Sequence, residues 1–266
     1  MPRIACVMSS NPADSNWRLD GARALVTGGS RGIGLATARE LASLGADLVL
    51  VARGADSLHQ ARHMISVENP AVRIQCVAAD VASAEGRAQV VSAAGSAIDV
   101  LVNNAGTNIR KRMSELSLEE YRKVQAVNIE SCFEMCRLLY PALRTSAPAS
   151  VVNNASVAGL THLRTGAPYG MSKAAMVQLT RNLAVEWAAD GIRVNAVAPW
   201  YIRTPLAGQV LDDPDYQREV VERTPMRRVG EAEECARAIA FLAMPAASYI
   251  TGQCLAIDGG FSVFGF

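Results

Sequence analysis

A phenol and an ammonium stand four residues apart in Tyr169-Gly170-Met171-Ser172-Lys173. On a helix that spacing puts both on one face, one turn apart. The pair suits proton transfer to or from an alcohol. A phenol with a pKa near ~10 is a poor acid–base group at neutral pH. A neighbouring ammonium favours the phenolate and lowers that pKa. Alone, such a pair is more often structural. Its companion is Ser156, which closes the run Val151-Val152-Asn153-Asn154-Ala155-Ser156. The C-terminal ends of strands are where α/β sheets bind ligands. Asn153 and Asn154 are unusual polar residues there, and the sequence gives them no functional reading.

A second motif concerns phosphate. An apolar run leads into Thr27-Gly28-Gly29-Ser30-Arg31-Gly32-Ile33-Gly34, and a helical pattern follows. Glycines let the backbone turn sharply and approach a ligand closely. The helix start then offers unpaired N–H groups and a positive dipole end to a pyrophosphate. Between a strand and a helix such a turn is informative; elsewhere it is only a tight turn.

These residues need a scaffold. Nearly continuous Val/Ile/Leu/Ala runs occur at 22–27, 47–52, 72–79, 100–103, 150–153, 193–198 and 254–258. Strands buried on both faces read this way, which predicts a parallel sheet. Helical patterns fill the gaps, including 32–44, 118–143, 169–189 and 231–244. The alternation predicts an α/β, doubly wound, seven-stranded Rossmann-type sheet flanked by helices, in one domain over 21–266. Residues 1–20 read as a polar, partly disordered extension. The stretch 200–229, rich in Pro and charge and without a clear pattern, reads as a substrate lid.

With its Gly-x-x-x-Gly-x-Gly turn, Ser156 and Tyr-x-x-x-Lys, the chain resembles the short-chain dehydrogenase/reductase family over about residues 19–261. Trp17-Arg18-Leu19-Asp20-Gly21, the 245–253 segment and Asp258-Gly259-Gly260-Phe261 resemble the tropinone reductase-like branch. The resemblance implies a hydride transfer between a nicotinamide cofactor and a carbonyl or alcohol substrate. Ser156 and Tyr169 hold the carbonyl, and Tyr169 donates the proton. Lys173 steadies the phenolate and the ribose. Asn128 holds a water that links Lys173 to solvent, although an Asn in an apolar helix could simply mark a kink. Gly28, Ser30, Arg31, Gly32, Ile33 and Gly34 take the pyrophosphate. Asp80 and Val81 take the adenine, although Asp80 could equally cap a helix over 83–95. Asn104, Ala105 and Gly106 lie against the ribose. Pro199, Ile202 and Thr204 face the nicotinamide. Many relatives have Gly where this chain has Trp200, a departure that bears on the turn there.

The second strand selects between cofactors. An NAD-preferring site ends that strand with Asp or Glu for the ribose 2′-OH. Here it ends in Val51-Ala52-Arg53. Asp47 lies at the other end, on the order of 15–20 Å away at ~3.3 Å per residue. Arg53 and Arg31 can clamp a 2′-phosphate, so NADP(H) is the expected cofactor.

Lys plus Arg number 26 and Asp plus Glu 25, a net charge of +1. That balance argues against nucleic-acid or membrane-surface binding. No stretch reaches the ~20 apolar residues of a membrane span, and no secretory leader is evident. The cysteines form no Cys-x-x-Cys pair, so no metal site is expected; Cys132 and Cys136 read as small buried side chains. The expected compartment is the cytoplasm. Apolar residues on more than one face of the helices at 118–143 and 169–189 suggest a partner subunit, and the family resemblance implies a homodimer or homotetramer. Among those apolar residues are Ile129, Phe133, Met135, Leu138 and Leu139, then Met176, Val177, Leu179, Leu183 and Val185. Arg110-Lys111-Arg112 follows the 103–106 turn, where cations could attract an anionic substrate group or simply face water. Two further readings stay open: a 3-oxoacyl-thioester reductase, and a non-catalytic dinucleotide sensor, which would need no proton donor.

Overall fold

The computed structural model describes residues 15–265. The chain alternates strand and helix from the start. The first half runs β1 (Arg23–Thr27), α1 (Gly32–Ser43), β2 (Asp47–Ala52), α2 (Ala55–Glu68), β3 (Ile74–Ala78), α3 (Ala84–Ala94) and β4 (Val100–Asn103). The second half runs α4 (Leu118–Gln125), a π turn (Ala126–Glu130), α5 (Ser131–Thr145), β5 (Ala149–Asn154), α6 (Ala167–Glu186) and β6 (Ile192–Pro199). It closes with β7 (Ile202–Arg203), α7 (Pro205–Leu211), α8 (Pro214–Arg223), β8 (Gly230–Glu231), α9 (Ala232–Ala243) and β9 (Cys254–Ile257).

Seven strands form one parallel sheet in the order β3-β2-β1-β4-β5-β6-β9. Side chains alternate between faces along each strand. Leu25, Val49, Leu101 and Val151 join Val90 of α3, Met135 of α5 and Met176 of α6 on one face. Val26, Leu50, Val102 and Val152 join Leu41 of α1, Leu58 of α2 and Ile239 of α9 on the other. Both faces are therefore dry, which is why the strands read as continuous apolar runs. Strand order reverses between β1 and β4. The connections leaving their C-terminal ends run to opposite faces of the sheet, which opens the crevice where such sheets bind ligands.

Three expectations need correction. The 118–143 helix is interrupted by the π turn, with Asn128 at its centre. The 200–229 segment carries two helices, α7 and α8, around its own small cluster of Tyr201, Leu211, Val220 and Val229. The predicted extension falls mostly on residues 1–14, outside the described residues. Its end is built into the domain: Leu19 is buried, and its N–H donates to Leu44 O at 2.8 Å.

Candidate active site

The glycine turn is shaped by lack of room. A side chain at Gly34 would put its Cβ 2.1 Å from the Gly28 carbonyl oxygen and 2.4 Å from Asn104 Nδ2. Gly28 itself has φ +66°, a conformation that favours glycine. Thr27, which sequence reading passed over, ties the turns together. Its Oγ accepts from the N–H groups of Asn104 (2.9 Å) and Ala105 (3.1 Å). Asn104 Nδ2 in turn donates to Thr27 O, and Asn154 Nδ2 donates to Asn104 Oδ1. The turns after β1, β4 and β5 are thus one hydrogen-bonded unit. Arg31, the residue before α1, makes no side-chain cap, and the first turn holds no acidic residue. The helix start keeps its positive end for a phosphate.

One cavity of about 690 Å³ lies above this unit. It brings together the predicted Gly28, Ser30–Gly34, Arg53, Asp80, Val81, Asn104–Gly106, Ser156, Tyr169, Lys173, Pro199, Ile202 and Thr204. Asn128 stands apart, fully buried behind the wall. Asp80 is not the helix cap. Ser83 caps α3 by accepting from Gly86 N, and Asp80 Oδ1 accepts from Ala82 N at 3.0 Å. Asp47, at the far end of β2, is held by Arg73.

Ser156 is buried at the end of β5. Its Oγ accepts from Ala158 N and lies 3.5 Å from Pro199 O, and its hydroxyl, lining the same cavity as the Tyr169 phenol, favours the phenolate. Lys173 is buried on the next turn of α6. Its Nζ donates to Asn154 O at 2.7 Å and lies 5.7 Å from the Tyr169 ring centre. Burial lowers the lysine pKa to about 8. The phenol departs from the expectation that Lys173 would depress it. Burial raises its pKa, opposed by the Ser156 hydroxyl and the charge of Arg110. Desolvation of the phenolate outweighs both.

Asn128 has its amide committed. Oδ1 accepts from Thr107 N (2.8 Å), and Nδ2 donates to Thr107 O and Ser172 Oγ (both 3.0 Å). It clamps the loop after Gly106 to α6. Asn153 gains the account that sequence lacked. It accepts from Asn103 Nδ2 and Cys132 Sγ and donates to Thr180 Oγ, fixing β5 to β4, α5 and α6. Trp200 needs no special backbone. It stacks on Phe261 at 3.7 Å, and its Nε1 donates to Thr224 Oγ.

The cavity fits a nicotinamide dinucleotide. A bare helix start, small residues along the floor and a buried Asn154 Oδ1 without a partner are the groups such a ligand would meet. The fold and this constellation define a nucleotide-dependent oxidoreductase acting on CH–OH and C=O groups. The chain belongs to the short-chain dehydrogenase/reductase family: residues 28–262 match the family model described as enoyl-(acyl carrier protein) reductase. It is 45% identical over 257 residues to a tropinone reductase homolog of Arabidopsis thaliana, covering 95% of this chain and 97% of that one. Among solved structures, it is similar to a putative NAD(P)-dependent gluconate 5-dehydrogenase from Beutenbergia cavernae with bound NADP. The TM-score is 0.89 at 36% identity, covering 94% of this chain and 100% of that one. It is also similar to L-sorbose reductase from Gluconobacter frateurii complexed with NADPH and L-sorbose. That TM-score is 0.87 at 33% identity, covering 92% and 98%. No helix among the described residues is long and apolar enough to cross a membrane.

Proposed function

We propose that this protein reduces a ketone to a secondary alcohol, or runs the reverse, with NADP(H) in preference to NAD(H). The observation that carries the reading is one cavity reaching from Arg31 and Arg53 to Ser156, Tyr169 and Lys173. Arg31 and Arg53 are exposed, and neither forms an ion pair among the described residues. With no carboxylate at that end of β2, a 2′-phosphate is welcome there. The NADP and NADPH bound to two of the similar structures support the same preference.

When bound, the cofactor supplies or accepts the hydride. The chain supplies the rest. The Ser156 and Tyr169 hydroxyls donate to the substrate carbonyl oxygen. Tyr169 passes its proton to that oxygen as negative charge develops. Lys173, charged below its pKa of about 8, stabilises the phenolate left behind. Asn128 keeps the Thr107 loop and α6 in register around this exchange, and water refills the proton. The 200–229 segment lends Trp200, Tyr201, Leu206 and Ala207 to the cavity wall and acts as its lid. Assembly as a homodimer or homotetramer belongs to the same reading, on narrower grounds than the sequence suggested. Met135, Leu139, Met176, Val177 and Leu183 are spent inside the monomer, which leaves Phe133 and Val185 exposed. A cytoplasmic site of action completes it.

The experiment is cofactor oxidation by the purified protein with a panel of ketones and 3-oxoacyl thioesters, using NADPH and NADH in turn. Ketone turnover with higher kcat/KM for NADPH is expected. Equal efficiency with both cofactors removes the NADP preference. Turnover confined to thioesters moves the substrate class. Tight NADPH binding without turnover of any carbonyl would make the protein a sensor.

A further inference from the structure

Arg110 is the cation that the reduction chemistry leaves unused. It belongs to the loop between β4 and α4. Gly166, just ahead of α6, has φ +90°, and a Cβ there would lie 3.2 Å from Ile109 O and 3.5 Å from Lys111 O. The 109–111 backbone therefore passes close to the start of α6, three residues before Tyr169. The neighbouring cations go elsewhere. Lys111 is ion-paired with Glu120, the capping-box acid of α4, and Arg112 is exposed outside the cavity. Arg110 lines the cavity with Ser156, Tyr169 and Tyr201.

Its guanidinium has no answering group. Nε and Nη1 are shut off from solvent without a hydrogen-bond partner, and Arg110 forms no ion pair among the described residues. A charged donor desolvated and left unpaired is costly, which is why such groups normally find an acceptor. The cavity offers none of opposite charge on this side. Its lining carboxylate is Asp80, at the end of β3, whereas Lys123 and Lys173 add further cations to the lining. The acids of the 200–229 segment are outside the lining, with Asp213 capping α8, Asp215 paired with Arg218 and Glu219 paired with Arg164. Thr165 Oγ, buried and also without a partner, is a second donor on the same wall.

We propose that Arg110, assisted by the Thr165 hydroxyl, is a carboxylate-binding subsite, so that the substrates of this enzyme are ketones carrying an acid group. The proposal rests on the reading of Ser156, Tyr169 and Lys173 as the site of ketone reduction. A planar guanidinium takes a carboxylate through two parallel hydrogen bonds, which fixes orientation as well as affinity. The substrate anion would answer the guanidinium's charge at its cavity-facing edge and aim the carbonyl at Tyr169. The arginine's charge already acts on the Tyr169 and Tyr201 phenols, as expected for a group facing the reacting end of the cavity.

The test uses benzoylformate and levulinate, each against its methyl ester, with NADPH. The readout is the acid-over-ester ratio of kcat/KM, which cancels any change in Tyr169 acidity. The wild-type ratio should exceed one for at least one pair. In Arg110→Ala that ratio should fall roughly tenfold to a hundredfold, the loss expected for hydrogen bonds to a charge. Arg110→Lys should keep part of it, and Arg112→Ala all of it. Calorimetric binding of benzoylformate to the NADP⁺-loaded protein, lost in Arg110→Ala, gives a readout independent of turnover. Esters reduced as well as acids by the wild type, or an Arg110→Ala ratio equal to wild type, would overturn the subsite while leaving ketone reduction intact. Acid binding that depends on Arg110 without turnover of any ketone would uphold the subsite and remove the reduction reading.

Discussion

The two sides of the cavity are built differently. On the cofactor side, Thr27, Asn104 and Asn154 lock three strand-end turns together with main-chain and amide hydrogen bonds. Gly34 fits with no room for a methyl group. On the substrate side, the 107–112 loop and the 200–229 segment add side-chain ties to their main-chain bonds: Lys111 to Glu120, Arg164 to Glu219, and Trp200 against Phe261. Arg110, Asn108 and Thr165 are left with unpartnered polar atoms there. Hydrogen bonds that join strand end to strand end fix a geometry for a ligand of constant shape. Side-chain ties leave walls whose polar groups are completed by the substrate.

The largest test of this contrast is at the seam between the sides. Tyr169→Phe keeps the ring and removes the proton donor, so turnover should fall by about 10²–10⁴. NADPH affinity, measured by fluorescence titration, should stay near wild type. A near-normal rate would mean that another group is the acid. Next is the interlock itself. Gly34→Ala drives a methyl into the Gly28 carbonyl and the Asn104 amide. Urea unfolding should show a loss of about 3 kcal/mol, at the upper end for overpacking, together with loss of NADPH binding. A Gly34→Ala protein that binds NADPH normally would mean the turn has slack.

The cofactor side was the more legible from sequence, because its physics is local. A glycine turn between a strand and a helix, and a tyrosine one turn from a lysine, are written in consecutive residues. The strand bounds follow from apolar runs that two dry faces demand. Legibility fails where function depends on contacts remote in sequence. Thr27 meets Asn104 and Asn153 meets Thr180 only after the strands pair, so nothing local marked them. The π turn at Asn128 has no Pro or Gly to announce it, since its partners are Thr107 and Ser172. In 200–229, Pro and charge read as irregular, yet Thr204 and Asp213 cap short helices with a Pro at the start. The run 110–112 reads either as an anion contact or as three solvated cations, and the tertiary fold separates the two readings by placing Arg110 in the cavity lining and Lys111 and Arg112 outside it.

Lys173 gives a pH signature to the seam. Its pKa of about 8 in the folded chain lies below the 10.5 of a free lysine. Below about pH 8 the amine is charged in both states, and the fold bears the cost of burying that charge. Between about pH 8 and 10 the unfolded chain binds the additional proton, so stability rises with pH. The full difference corresponds to about 3 kcal/mol. Urea unfolding at the two ends of that window should show wild type gaining on Lys173→Met. Parallel pH curves would mean that the lysine is not desolvated. On the cofactor side, Arg53→Asp exchanges a phosphate partner for a repelling carboxylate. The NADPH-over-NADH ratio of kcat/KM should drop by roughly tenfold to a hundredfold. An unchanged ratio would assign the selectivity to Arg31 alone.

The smallest effect tests how loosely the substrate side is tied. Arg164, in the loop before α6, reaches across to Glu219 on α8 and lies 4.8 Å from the Tyr216 ring centre. Tyr216 in turn hydrogen-bonds Tyr201 of the cavity wall. Both members of the ion pair are about half exposed, so solvent screens most of their attraction, and such pairs are worth ~0–1 kcal/mol. Arg164→Ala should therefore change global stability by less than ~1 kcal/mol. Local opening is more sensitive, because a short helix on few buried contacts exchanges through its own fluctuations. Amide exchange in 214–223 should quicken in Arg164→Ala and, for wild type, at high salt, where the pair is further screened. Exchange in 23–34 should not respond to either change. Equal quickening of both regions would mean that the two sides open together, and the contrast between a locked floor and an adjustable wall would fail.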